Sequence, residues 1–518
     1  MQILKHVRAS SGLLLVFALG MAQPVFAQNH FPLEILNIKP VGSPPSGLDA
    51  DNRIYSAYPG LTYNIRAAVI GGNYPYTFTL SNAPSGMSVN ANTGEITWTN
   101  PQANATPTLT IRDASGAQIS SSWPITVSTT RFKFIDAVNG RNASNNGCSS
   151  SCGTGAAGSP WRTIKDMTLN APANTITYFR AGTYSHLDIA RSGVGGPWEA
   201  IELGEDRSVI WLNYPGETPR IDYGWTGGAE WGPMIYMEGT TVYVEGFETV
   251  NSHIMAFQVG GTSTGGTFRK NILHHHGPGT SGTNASFIMT TQQYPNVAYG
   301  MVIQDNVFYD SPVDVNIKLY SQLKTLIENN TFHDTVSAME LKSDVRQFTV
   351  RGNTFYNIRT NVWDAVAIGG NMHGLNDTHT TGGEICYNNV RSTDNLALSV
   401  NQDGEAAPIY IYRNTFVGNV AVTNTDSADG PFYFRNNVMI NSTGGNGIQF
   451  IQVSAPNQVI VSNNLTGSPS QGIVDSLGNL TSGYSQYVGS MGYQVGSGGG
   501  TTPPPPAPAA PTNVRIIR

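Results

Sequence analysis

The clearest pattern of apolar and polar positions lies between Phe268 and Leu465. One short phrase recurs there: an apolar residue, two variable residues, Asn, one more residue, and a second apolar residue. The copies carry Asn271, Asn306, Asn330, Asn353, Asn388, Asn414, Asn437 and Asn463, in steps of 35, 24, 23, 35, 26, 23 and 26 residues. A period in the twenties, built from strand-like residues, predicts a solenoid whose coils bury their apolar faces only against one another. The apolar residues are expected to point inward and stack on their copies about 4.8 Å away. The Asn is expected at a bend, where its side chain bonds to backbone and to the Asn of the next coil. Strand, bend and strand repeated in this way predict a parallel β-helix. Leucines are too few for leucine-rich repeats, and no long stretch has a helical 3.6-residue period.

The flanking sequence reads differently. In residues 28–130, short alternating segments (Tyr63–Val69, Tyr76–Leu80, Glu95–Trp98, Thr108–Arg112, Trp123–Val127) are separated by Gly, Pro and Asn, which predicts a small β-sandwich. The solenoid is expected over 131–490. A short helix within Asp166–Asn170 would cover its open apolar end, and Val242–Phe247 reads as an early phrase with Gly246 in the bend. Residues 491–518 read as a Gly/Pro-rich linker and tail. Residues 1–27 read as a secretory signal: Lys5 and Arg8 precede the apolar run Leu13–Met21, and Val25-Phe26-Ala27 supplies small residues for cleavage. The expected location is therefore secreted or cell-surface. The apolar run is too short to span a bilayer, and no later segment does so.

Composition agrees with an exported β protein. Only 12% of residues are charged and 57 of 518 are Gly, unlike a helical cytosolic enzyme. A net charge of −6 argues against a nucleic-acid partner but leaves an acidic polysaccharide open. Cys148 and Cys152 are expected to form a disulfide, and Cys386, inside a ladder phrase, a buried thiol.

The ladder also serves as a ruler. Lys318 follows Asn306 by 12 residues and Lys342 follows Asn330 by 12, so coils in register would stack Lys318 on Lys342 and Asn316 on Glu340. Ile317, Leu319, Met339 and Leu341 alternate with them and would point inward, leaving a charged outward square flanked by Asp314 and Asp344. The two 35-residue coils bracket it. One carries His274–His276 and the Gly277–Thr283 loop, the other Asn371, His373, Asp377 and His379, and such insertions would leave the solenoid as walls of a groove. The plainer reading makes Lys318 and Glu340 a diagonal surface ion pair of little consequence. Glu328 with Arg351 reads as a structural pair. His274, Tyr309, His333 and Tyr356 read as an aromatic stack, and the three consecutive histidines as a surface loop, not a metal site.

Two resemblances give these features a context. Ala83–Trp98 resembles the Ig-like, cadherin-like domains of bacterial extracellular proteins, for which a spacer or glycan-proximity role is the default. The entry sequence Phe134–Gly140, the capping helix, Tyr178–Tyr184 and the Asn ladder together resemble right-handed β-helix proteins of the pectate-lyase-like superfamily. The fold class so implied is all-β, a right-handed parallel β-helix solenoid preceded by a small Ig-like β-sandwich. Lys342-Ser343, shortly before Gly352-Asn353-Thr354-Phe355, is similar to a stretch of the alginate and chondroitin lyases of that fold. It departs from them at Ser337, where an acid stands, and at Ala365–Gly369, which lacks their Arg. The resemblance implies β-elimination on a uronic-acid polysaccharide by a monomer. In that reading Lys318 and Lys342 are catalytic, Asn316, Arg346, Asn371 and His373 bind substrate, and Asp314 and Glu340 hold calcium. A glycoside hydrolase on the same fold, which needs facing carboxylates, and a non-catalytic surface glycan-binding protein or adhesin are the alternatives.

Overall fold

The structure, a computed structural model, describes residues 31–493 apart from 44–47, 186–199, 204–207, 225–233, 238–240, 253–254, 261–263, 278–284, 291–297, 360–363, 370–379, 402–406 and 424–426. Residues 1–27, which read as a secretory signal, and the tail beyond Tyr493 lie outside the described residues, as do Asn371, His373, Asp377 and His379.

The strands pair in parallel, coil upon coil. One sheet of the solenoid holds 14 strands and the other 17 among the described residues. In the first, Val302–Gln304 pairs with Leu326–Glu328, which pairs with Val345–Arg351. In the second, most coils contribute a near strand directly after the Asn and a far strand beyond a bend; Val307–Leu319 runs through both. The chain is thus a parallel β-helix. Its core is one continuous apolar column from Ile135 to Ile448, with the rings of Phe308, Phe332 and Phe355 stacked 4.9 and 4.8 Å apart. The helix Ile164–Asn170 plugs the N-terminal end through Ile164 and Met167. A capping box between Thr163 and Asp166 fixes its start. Among the described residues no helix is long and apolar enough to cross a membrane.

The Asn ladder is continuous and buried. From Asn271 to Asn437 each amide donates to a carbonyl of the preceding coil and to the next Asn, as Asn330 does to Ile303 O at 2.9 Å and Asn353 Oδ1 at 3.0 Å. Two details correct the sequence reading. The bend is made by the residue before the Asn: Lys270, Asp305, Asn329, Tyr387, Arg413 and Asn436 all have φ between 52° and 59°. The eighth rung is Asn464, not Asn463. Asn437 donates to Asn464 Oδ1 at 3.0 Å, and Asn463, at φ 54°, is the bend residue. Two adjacent asparagines hid a one-residue shift that pairing settles, because Val438 stands opposite Leu465. Gly246 occupies the same bend position at φ 81°.

The N-terminal domain is a sandwich of two three-stranded antiparallel sheets around Tyr63, Ile96, Trp98, Leu109, Ile111 and Trp123. It lies along the outer face of the first solenoid sheet. Leu36, Ala68 and Ile70 pack on Val302 and Leu326. Arg66 pairs with Asp305 and with Glu328 at 3.3 Å, and Arg351 donates to Tyr76 Oη and Val69 O at 2.9 Å each. Glu328 and Arg351 face each other on adjacent strands, with Nη2 2.5 Å from Oε1, so that pair is structural and also part of the domain junction. Cys148 and Cys152 form the expected disulfide. Cys386 is buried, its thiol pushed up to about 12 by burial and then by Glu384.

Candidate functional site

Lys318, Glu340 and Lys342 come together on the far half of the second sheet, in a different register from the one expected. Lys318 stands opposite Glu340, not above Lys342. A bulge between Ser311 and Val315 lets four residues of one strand face two of the next, Thr335 to Ser337. The two extra residues advance everything after them, so equal spacing from the ladder no longer means equal height. Glu340 Oε1 is 2.7 Å from Lys342 Nζ and Glu340 Oε2 is 3.4 Å from Lys318 Nζ. One carboxylate therefore separates two ammonium groups. The pair is not the diagonal surface contact of the plainer reading either: the Lys318 side chain is 5% exposed, against 18% for Lys342. Lys342 Nζ also lies 5.7 Å from the centre of the Tyr320 ring.

The other predicted residues scatter. Asn316 was expected outward, but it is fully buried at the bend, where Thr335 Oγ1 donates to its Oδ1 at 3.2 Å. Arg346 sits on the first sheet, around the corner, with its Nε on Asp344. The side chain of Asp314 lies outside the described residues, as do both insertion loops. Calcium finds little here. Among the described residues no three His, Cys, Asp or Glu side chains cluster to hold a metal ion, and Glu340 is already neutralised by two lysines. The described residues do not fit that ion, and no step below passes through it.

Sequence reasoning missed Asp364 as a neighbour of this cluster. Burial raises its carboxyl above the usual range, Ser399 lowers it by donating to Oδ2, and the charge of Glu340 raises it further. Asp364 O also accepts from Ser337 Oγ at 2.5 Å. Asp364 lies 11 residues past Asn353, as Glu340 lies 10 past Asn330, so the ruler held a signal that looking for adjacent acids overlooked.

A second polar strip runs down the near half of the same sheet. His274, Tyr309, His333 and Tyr356 stack ring on ring at 4.6, 4.8 and 4.9 Å, within 6° of parallel, as expected. Glu248 closes one end at 3.0 Å from His274 Nε2, and Arg391 lies 5.3 Å from the centre of the Tyr356 ring at the other. Burial first, opposed by Glu248, holds the His274 imidazole below its usual pKa. The ring faces cover one another, so the strip offers only ring edges to a ligand.

The residues 42–128 match the family model described as "Putative Ig domain". No curated protein matches the chain in sequence. Among solved structures, the chain is similar to a rhamnogalacturonan lyase, with 13% identity, 70% of this chain and 99% of that one covered, and a TM-score of 0.48. It is similar to pectate lyase Pel9A at 12% identity, covering 65% and 78%, with a TM-score of 0.40. A family 28 exopolygalacturonase from Yersinia enterocolitica aligns at 8% identity, covering 80% and 97%, with a TM-score of 0.35. Strand pairing by itself defines the class: a parallel β-helix protein with an N-terminal Ig-like domain.

Proposed function

We propose that the chain is a secreted enzyme that cleaves a uronic-acid-containing polysaccharide by β-elimination at the Lys318–Glu340–Lys342 cluster. The observation that carries this is the placement of Glu340 between two ammonium groups, one buried and one partly open to solvent. A uronate carboxylate arriving at Lys318 would take over part of the role Glu340 plays in the free protein. Lys342, the more exposed cation, is positioned to exchange protons with the polymer. As a neutral amine it takes the C5 proton. The C4–O bond breaks as the C4–C5 double bond forms, and the departing oxygen takes the proton that Lys342, now an ammonium, carries, which restores the amine. Glu340, 2.7 Å from Lys342 Nζ, holds that nitrogen in position.

The test is incubation with alginate, pectate and glycosaminoglycans while following the ultraviolet absorbance of unsaturated uronates. Absence of signal on every polymer, with and without calcium, overturns the reading. One observation favours a second reading: Asp364, whose carboxyl burial raises above its usual range, lies beside Glu340, and glycoside hydrolysis uses two carboxyl groups. New reducing ends without absorbance would decide for it.

A further inference from the structure

Where the Ig-like domain meets the first coils of the solenoid, a cleft of about 420 Å³ opens between them. One wall is Ig-like (Arg53, Thr62, Asn64) and the other belongs to the solenoid (Tyr178, Glu245, Lys270). Arg53 is the unusual member. It is 2% exposed, held in a short 3-10 turn whose start Asn52 caps. Its guanidinium lies over the Tyr63 ring at 4.6 Å and Nη1 donates to Ser56 O. Its Nε is buried with no hydrogen-bond partner among the described residues.

The other buried arginines of this junction each meet a carboxylate. Arg66 has Glu328 at 3.3 Å, Arg269 has Glu245 at 3.3 Å, and Arg351 has Glu328 at 2.5 Å. Among the described residues no carboxylate lies within ion-pair distance of Arg53. Glu245, which lines the same cleft, is taken by Arg269 and by the Tyr243 hydroxyl at 3.0 Å. A buried cation without a counter-ion is costly, and here its residue lines a cleft. A guanidinium presents a planar fork of donors that matches a carboxylate. Around it stand amide and hydroxyl groups on Asn64 and Thr62, the Tyr178 ring, and at the rim the Lys270 ammonium, 3.0 Å from Asn64 Oδ1.

We infer that this cleft is a second ligand site, separate from the Lys318–Glu340–Lys342 cluster, which binds a carboxylate-bearing polyhydroxylated molecule, a hexuronate, with its carboxylate on Arg53. Such a ligand touches both domains at once and supplies a counter-ion that the described residues do not.

Calorimetric titration of the full chain with glucuronate, glucose and inorganic phosphate tests this. Glucuronate is expected to bind at least tenfold more tightly than glucose, the usual worth of one charge-assisted contact. Arg53→Met and Thr218→Trp should each weaken it by about tenfold or more. Thr218 is an exposed rim residue, so its replacement blocks the cleft even if Arg53→Met perturbs the fold. Lys342→Ala should leave this binding unchanged, which separates it from the proposed activity. Failure of glucuronate to bind, tighter binding of phosphate than of glucuronate, or wild-type affinity in Thr218→Trp each overturns the inference.

Discussion

Glu340 of one coil lies directly opposite Lys318 of the coil before it, with Lys342 two residues further along, just past the end of its strand. The proposed chemistry divides between the two lysines according to their exposure. Lys342→Ala is expected to lower the rate of unsaturated-product formation by about 10²–10⁴-fold, the range of a lost proton-transfer group, without loss of fold. An unchanged rate removes Lys342 from the reaction. Glu340→Gln should also slow the reaction, since it removes the carboxylate that holds Lys318 and Lys342 in place.

The junction between domains should respond strongly to a single broken pair. Arg351→Met leaves Glu328 with Arg66 as its remaining ion-pair partner among the described residues and removes the donors to Tyr76 and Val69. A loss of about 3–5 kcal/mol is expected in denaturant unfolding. Replacing Arg351 and Glu328 together should cost less than Arg351 alone; a larger cost would contradict the pairing.

Stability should fall on both sides of an intermediate pH. The Glu328 and Asp305 carboxyls are raised by burial, but Arg351 and Arg66 outweigh that, so both lie below their usual pKa. Their contribution is present above the unfolded value and is lost as pH falls through the folded one. Glu384 runs the other way. Burial pushes it to about 8, Arg351 only partly opposes this, and its Oε1 has no hydrogen-bond partner among the described residues. It holds a proton in the folded state that the unfolded chain has already released. Its contribution is therefore whole below about 4.5 and is lost as pH rises through about 8. Melting temperatures across pH should show this alkaline decline, and Glu384→Gln should flatten it. An identical profile in the variant would remove Glu384 from the account.

The ladder register is open to a paired substitution. Asn388→Ala removes donors to Val350 O and Asn414 Oδ1 in the middle of the column and should cost about 1–3 kcal/mol. At the C-terminal end, Asn464→Ala should cost more than Asn463→Gly, because Asn464 carries the rung, whereas Asn463 holds a left-handed bend that Gly adopts freely and one exposed contact to Asn436 Oδ1. Equal effects in thermal unfolding would restore the one-residue-earlier register.

The periodic features could be read in the sequence because they rest on local rules repeated many times. Asn330 and Asn353 each stand in the same apolar frame, so one phrase predicts the whole column. The capping helix likewise announces itself in Thr163 and Asp166. The bulge before Val315 could not be read. Its extra residues are absorbed before the next ladder Asn, and the step from Asn306 to Asn330 stays at 24. The docking of the Ig-like domain depends on contacts such as Arg66 with Asp305, 239 positions apart, which no local pattern encodes. Arg53 could not be singled out either: that no carboxylate among the described residues meets it becomes visible only beside the fates of Arg66, Arg269 and Arg351.

The flat packing of the Ig-like domain has a consequence for the order in which the molecule is built. Its residues reach from the first coil, where Tyr58 meets Phe132 at 5.4 Å, to a late one, where Phe31 meets Tyr410 at 5.9 Å. They are also made first. A domain that folds as a unit when it emerges is already a finished surface when the coils follow one at a time. Each new coil then finds its outer face waiting before its inner neighbours on the far side exist, so the nascent solenoid grows along a template instead of closing on itself.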